Sequence, residues 1–134
     1  MSRRSAPSSR RPKPTNAELD VLRELWEMGP ATVREVHTKI SVAKSWTYTT
    51  TLKTLQVMAE KGLVTRDDSQ RSHVYKAARP ADQTQRKLVG DLLAQAFRGE
   101  LDKFVLQALA AKRATPEELA EVRSLLDEYE RKLR

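Results

Sequence analysis

Apolar residues recur at helical spacing through three short segments, and the pattern changes abruptly at Gly62. That change of period limits what the chain can fold into more than any other feature. Thr15-Asn16-Ala17-Glu18 fits a capping box, in which hydroxyl and carboxylate satisfy free N–H groups at a helix start. Leu19, Leu22, Leu25 and Trp26 follow on one stripe, and Gly29-Pro30 ends the segment. A second box, Thr32-Val33-Arg34-Glu35, opens a short helix with Val33, Val36 and Ile40 on one face and a break near Ser41. A third helix is predicted from Ser45 or Trp46 to about Lys61, with Tyr48, Thr51, Leu52, Leu55, Met58 and Ala59 on its apolar stripe. Beyond Gly62, Leu63–Arg66 and Ser72–Lys76 are β-rich runs around the polar turn Asp67–Arg71, which predicts a hairpin.

From Pro80 the helical period returns. Leu88, Leu92, Leu93, Ala96 and Phe97 form one stripe, Gly99 interrupts, and Leu101, Phe104, Val105 and Leu109 form a second. Thr115-Pro116-Glu117-Glu118 starts a last helix with cap, N1 proline and box glutamate, carrying Leu119, Val122, Leu126, Tyr129 and Leu133 down one side. Three short amphipathic helices without a sheet bury little by themselves, so their apolar faces are expected to pair with a second copy of the chain. Leu93, Phe97, Phe104, Leu119, Val122, Leu126 and Tyr129 are the candidate dimer residues. The expected organisation is a disordered basic arm over 1–14, a helix-and-hairpin domain over 15–79 and a helical dimerisation domain over 80–134.

Charge separates these parts. Residues 1–80 hold 15 Lys+Arg and 8 Asp+Glu, whereas 81–134 hold 10 of each, so the whole surplus of +7 sits in the first half. Such asymmetry points to a polyanionic partner for that half. With no cysteine, a disulfide framework, a thiolate metal site and a thiol nucleophile are excluded. His37 and His73 are the only histidines and neither has a partner set at a recognised spacing, so neither catalysis nor a cofactor or metal is expected. No apolar run approaches the roughly 18 residues of a membrane span, and no apolar core follows Arg3, Arg4, Arg10 and Arg11, so a cytoplasmic protein without membrane insertion is expected.

Helix, helix, helix, hairpin over 15–78 is the order of a winged helix-turn-helix, in which the third helix enters the DNA major groove and the hairpin flanks it. The fold class expected is therefore mostly α with a small hairpin. Opposite the apolar stripe of the third helix lie Trp46, Thr50, Lys53 and Val57, with Thr47, Thr49, Thr54 and Gln56 on the shoulders. Hydroxyls reach phosphates or a thymine methyl, glutamine reads adenine, and lysine reaches guanine or phosphate. Ser45, Trp46, Thr47, Thr49, Thr50 and Lys53 are the candidate reading residues, and Arg71 at the hairpin tip a candidate backbone or minor-groove contact. The plain alternatives are a solvated helix face and a solvated turn.

Trp46-Thr47-Tyr48-Thr49-Thr50-Thr51-Leu52-Lys53-Thr54-Leu55, then Glu60-Lys61-Gly62-Leu63-Val64, then Tyr75-Lys76-Ala77, resembles the penicillinase-repressor family (BlaI/MecI/CopY type) of bacterial transcriptional repressors. Leu19–Trp26 is similar to that family's first helix and Thr32–Val36 to its second. The resemblance implies a homodimeric repressor of a dyad operator in double-stranded DNA, often with TACA and TGTA half-sites, read through Thr47, Thr49, Thr50 and Lys53. It also implies dimerisation through the last three helices. In β-lactam-responsive members a membrane sensor protease leads to cleavage at an Asn-Phe bond, which aligns here with Gln107-Ala108. The missing aromatic side chain departs from that pattern, and the absence of cysteine removes the thiolate switch of copper-responsive members. Readings from other classes are a winged-helix adaptor that binds protein, a non-specific nucleic-acid coat, and a regulator with a small-molecule pocket near Phe97, Leu101 and Phe104.

Overall fold

The computed structural model describes residues 13–134, so the basic arm proposed for 1–14 lies outside the described residues except for its last two positions. The elements run α1 (Asn16–Met28), β1 (Ala31–Thr32), α2 (Val33–Ile40), α3 (Tyr48–Glu60), β2 (Val64–Asp67), β3 (Val74–Ala77), α4 (Ala81–Phe97), α5 (Leu101–Ala111) and α6 (Pro116–Leu133). This is a mostly helical chain with one small sheet, and its first half is a winged helix. The chain forms two compact units, the first ending at Leu88 and the second Val89–Arg134.

In the first unit both predicted capping boxes are formed: Thr15 accepts from the Glu18 N–H while Glu18 accepts from that of Thr15, and Thr32 and Glu35 repeat the exchange. Val21, Leu22 and Leu25 of α1, Val36 and Ile40 of α2, and Leu55 and Met58 of α3 close one core with Leu63, Val64 and Tyr75. Burying each of the larger side chains contributes about 2 kcal/mol. Glu18 is buried among them because Lys61, the residue capping the far end of α3, reaches it at 2.6 Å. Opposite burial and pairing effects meet there: desolvation raises the Glu18 pKa, but the Lys61 hydrogen bond, the Thr15 N–H and the Lys61 charge outweigh it and leave the carboxyl below its ordinary value.

Chain direction reverses sharply after α3. Gly62 takes φ +80°, its N–H bonds the Ala59 carbonyl at 3.1 Å, and the Leu63 N–H bonds that of Met58 at 2.9 Å. This is the paired stop in which a left-handed glycine lets the next residue fold back on the helix, and buried Leu63 and Met58 seal it. The chain thus leaves α3 directly into β2.

Two sequence expectations are corrected. The hairpin is part of a three-stranded antiparallel sheet ordered β1-β3-β2, with Ala31 opposite Tyr75 and Thr32 opposite Val74. A strand of two residues is too short to show a period, and Thr32 also caps α2, which masked it. The third helix begins at Tyr48, not at Ser45 or Trp46, because Thr47 is the cap: its hydroxyl accepts from the Thr50 N–H at 3.2 Å.

In the second unit α6 forms the predicted box between Thr115 and Glu118, with proline in the first turn, and Lys112 adds an ion pair to Glu118. No residue of α4, α5 or α6 is fully buried. Phe97 and Phe104 meet edge to face at 5.4 Å, joining α4 to α5. No helix among the described residues is long and apolar enough to cross a membrane.

Candidate nucleic-acid interface

The exposed side of α3 is built from its own cap. Thr47 and Thr50 hydroxyls lie 3.1 Å apart and Thr47 also accepts from the Thr50 N–H, so one of the two hydroxyl protons remains free to donate outward. Thr54 is drawn back onto the helix, donating to the Thr50 carbonyl at 2.8 Å, and Thr51 is fully buried. Thr49 and Lys53 are exposed and have no hydrogen-bond or ion-pair partner among the described residues. Gln56 and Val57 continue the exposed face one turn on. The outward surface is therefore hydroxyls at the positive end of the helix followed by one free ammonium, an arrangement that favours anions and base-edge acceptors.

The two candidates ahead of the helix differ from each other. Ser45 is exposed in the connection. Trp46 is half-buried against the core, with the Lys44 ammonium 5.9 Å from its ring centroid and Lys44 held by Asp20 at 2.8 Å. Trp46 thus anchors the start of α3 to the core and remains partly exposed.

On the wing, the acidic residues are satisfied locally. Asp68 grips Arg66 with both oxygens, at 2.7 and 3.1 Å, and lies 3.7 Å from His73. Asp67 accepts the Ser69 N–H at 2.9 Å, the main reason its carboxyl sits below the ordinary range. Asp68 therefore occupies Arg66, whose guanidinium is further held by Tyr75, while Arg71 is exposed with no ion-pair partner among the described residues. Of the two arginines on the wing, Arg71 is the one left free to meet a phosphate.

Sequence reasoning passed over a third group. On α2, Arg34 lies over the Tyr48 ring with Cζ 5.4 Å from its centroid, and His37 meets the same ring edge-on at 5.8 Å. His37 Nδ1 is 2.8 Å from the Thr51 hydroxyl. The available signal was the spacing: Arg34 and His37 are three apart on one helix, Tyr48 and Thr51 three apart on the next, so each pair shares a face.

Of the candidate dimer residues, Leu93, Phe97, Phe104 and Leu119 are half-buried within the second unit, whereas Val122, Leu126 and Tyr129 are 41%, 60% and 65% exposed. Gln107 and Ala108 are exposed in the interior of α5.

A winged helix with a polar, partly unpaired third helix and a cationic wing defines the class of helix-turn-helix proteins. Within that class the penicillinase repressor family model matches residues 14–128, and the chain belongs to that family. Transcriptional regulator BlaI of Mycobacterium tuberculosis is 38% identical over 80 residues in each of two strains, CDC 1551 / Oshkosh and ATCC 25618 / H37Rv. That match takes in 59% of this chain and 58% of the relatives, so the chain spans little more than half of their length. Among solved structures, the DNA-binding domain of the repressor BlaI is similar with a TM-score of 0.49 at 24% identity, over 54% of this chain and 88% of that one. The Bacillus licheniformis BlaI monomeric form in complex with the blaP half-operator gives 0.48 at 23%, over 55% and 89%.

Proposed function

We propose that this chain is a cytoplasmic, sequence-specific transcriptional repressor that binds a dyad operator in double-stranded DNA as a homodimer. The observation that carries the reading is the outward face of α3, where Thr49 and Lys53 are unpaired and the bonded Thr47–Thr50 hydroxyl pair keeps one proton to donate, on a helix locked to a rigid core. Arg71 on the wing and the charge surplus confined to residues 1–80 support it. In this reading α3 lies in the major groove, Ser45 and the exposed part of Trp46 approach the adjacent backbone, and Arg71 holds phosphate or the minor groove beyond. Repression follows from occupancy. The relatives named BlaI and the family membership favour this reading over a protein-binding adaptor, which has no need of a free cationic wing.

Dimerisation is assigned to the second unit. The charges of residues 81–134 balance, and Leu125, Leu126, Tyr129 and Leu133 of α6 stand 58–71% exposed, a quantity of apolar surface that a solitary domain of this size leaves uncovered at a loss in stability. A dimer makes engagement of the second half-site intramolecular, so anything that parts the two copies weakens operator binding by orders of magnitude without altering the reading face. Cleavage at Gln107-Ala108 by a sensor protease is one such signal. Because that bond lies inside α5, the protease has to act on a locally unwound helix, and both residues are exposed enough for this.

Selection from a pool of randomised duplexes tests the proposal. Enrichment of a two-half-site dyad supports it; a pool left unenriched, or a single half-site bound as well as a dyad, overturns respectively the sequence-specific and the dimeric part.

A further inference from the structure

We propose that His37, together with Arg34, is a positioning residue for operator reading: the two form a clasp on Tyr48 and Thr51 that sets the angle at which α3 leaves the domain. This inference rests on the DNA-reading function proposed above. The clasp is two residues by two. Arg34 and His37 come from one face of α2, Tyr48 and Thr51 from the first turn of α3, the turn that also holds the exposed Thr47, Thr49 and Thr50.

Its centre holds a buried polar group. Thr51 is fully buried, and its hydroxyl has two neighbours, His37 Nδ1 at 2.8 Å and the Thr47 carbonyl at 3.4 Å. The second is too long to be its main bond, so the imidazole is the partner that satisfies it. Removing the imidazole leaves a buried hydroxyl with one stretched bond inside its own helix, and the structure regains a partner only by shifting the first turn of α3 against α2. Around this bond the aromatic contacts are loose and exposed on one side: Tyr48 is 41% exposed beneath the Arg34 guanidinium. The fully buried apolar anchors of α3, Leu55 and Met58, lie one to two turns further on, while Leu52 and Trp46 near its start are only partly buried against the core. The His37–Thr51 bond adds the directional contact that fixes the angle of the first turn.

The consequence is specific to base reading. Contacts to phosphate tolerate displacements of an ångström, because lysine and arginine stems adjust, whereas hydrogen bonds to base edges do not. Loss of the clasp therefore lowers discrimination between operator and unrelated DNA more than it lowers binding to unrelated DNA. A residue that only stabilises the fold leaves that ratio unchanged at temperatures well below unfolding.

The test uses the full chain, with a duplex recovered by selection with the wild type and its shuffled counterpart as probes, at least 20 °C below each variant's melting temperature. His37→Ala and Thr51→Val are each expected to reduce the operator-to-shuffled affinity ratio by about three- to tenfold, the loss of one hydrogen bond, with shuffled-duplex affinity nearly unchanged. The double variant is expected to be no worse than either alone. His37→Asn, whose amide occupies the place of Nδ1, and Thr51→Ser, which retains the hydroxyl, are expected to restore most of the ratio. An unchanged ratio in both single variants, additive losses in the double, or failure of Asn and Ser to rescue overturns the inference. A wild type for which selection enriches no duplex overturns instead the DNA-reading function beneath it.

Discussion

Lys61→Met removes the cation that reaches across the domain from the end of α3 to Glu18 at the start of α1. Glu18 is left buried, its side chain 8% exposed, with only the cap N–H of Thr15 at 2.9 Å as a strong partner. Breaking a buried pair from one side costs about 3–5 kcal/mol when the remaining charge is fully orphaned. Here the positive end of α1 and the capping N–H retain part of the stabilisation, and Lys61 itself is 22% exposed, so about 2 kcal/mol is expected. For a domain of this size that lowers the melting temperature by about 8–16 °C. The pH dependence fixes the cause. The folded pKa of Glu18 is lowered, so its contribution is fully present above the unfolded carboxyl value near 4.5 and is lost as pH falls through the folded value. Thermal unfolding followed by circular dichroism should therefore show a wide gap between wild type and Lys61→Met at pH 7, narrowing toward pH 3 as the carboxyl begins to protonate. Glu18→Gln, which preserves an acceptor for Thr15 but no charge, should flatten the pH dependence in this range. Equal gaps at both pH values would show that the ammonium stabilises the domain through packing of its stem and refute the ion-pair reasoning.

Three further outcomes follow from other parts of the chain. Lys53→Ala should weaken operator binding by about 1–3 kcal/mol if it meets a base edge, or reduce the salt slope by about one if it meets phosphate; titration of a labelled duplex across salt concentrations distinguishes these, and no change in either removes Lys53 from the interface. Leu126→Glu with Tyr129→Glu should give monomers in sedimentation velocity while the first unit melts normally, and a persistent dimer would remove α6 from the dimer seam. Thr47→Val deletes the cap of α3 and should destabilise the first unit by about 1 kcal/mol in urea unfolding, with Thr47→Ser close to wild type.

Much of the architecture is legible where local chemistry and burial agree. Thr15, Thr32 and Thr115 each precede a glutamate by three residues, and each forms the reciprocal cap that this spacing predicts. Gly62 announced the turn into the wing because a left-handed stop leaves glycine as the unstrained residue there. What escaped was set by partners distant in sequence. Ala31–Thr32 is a strand only because β3 supplies its ladder, and Val21 lies at the centre of the core although the leucine stripe beside it drew the attention. Thr47 looked like a member of the helix and is its cap, since a run of four hydroxyl residues from Thr47 to Thr51, broken by Tyr48, offers several equivalent starts. The exposure of Lys53 and Thr49 was readable from helical phase alone. The distinction between Arg66, consumed by Asp68, and Arg71, left free, required the loop's own geometry. The His37–Thr51 bond joins residues fourteen apart and has no sequence signature beyond two coincident spacings.

The exposed face of α3 is proposed to read DNA sequence as part of a dimer. Fluorescence anisotropy of a duplex carrying a TACA/TGTA dyad, set against a scrambled duplex over a salt series, tests it most directly. Preference for the dyad by several kcal/mol is expected, with both affinities falling as salt rises and the gap between them persisting. Equal affinity for the two duplexes, declining together with salt, would contradict it and leave a charged surface that coats DNA without reading that dyad.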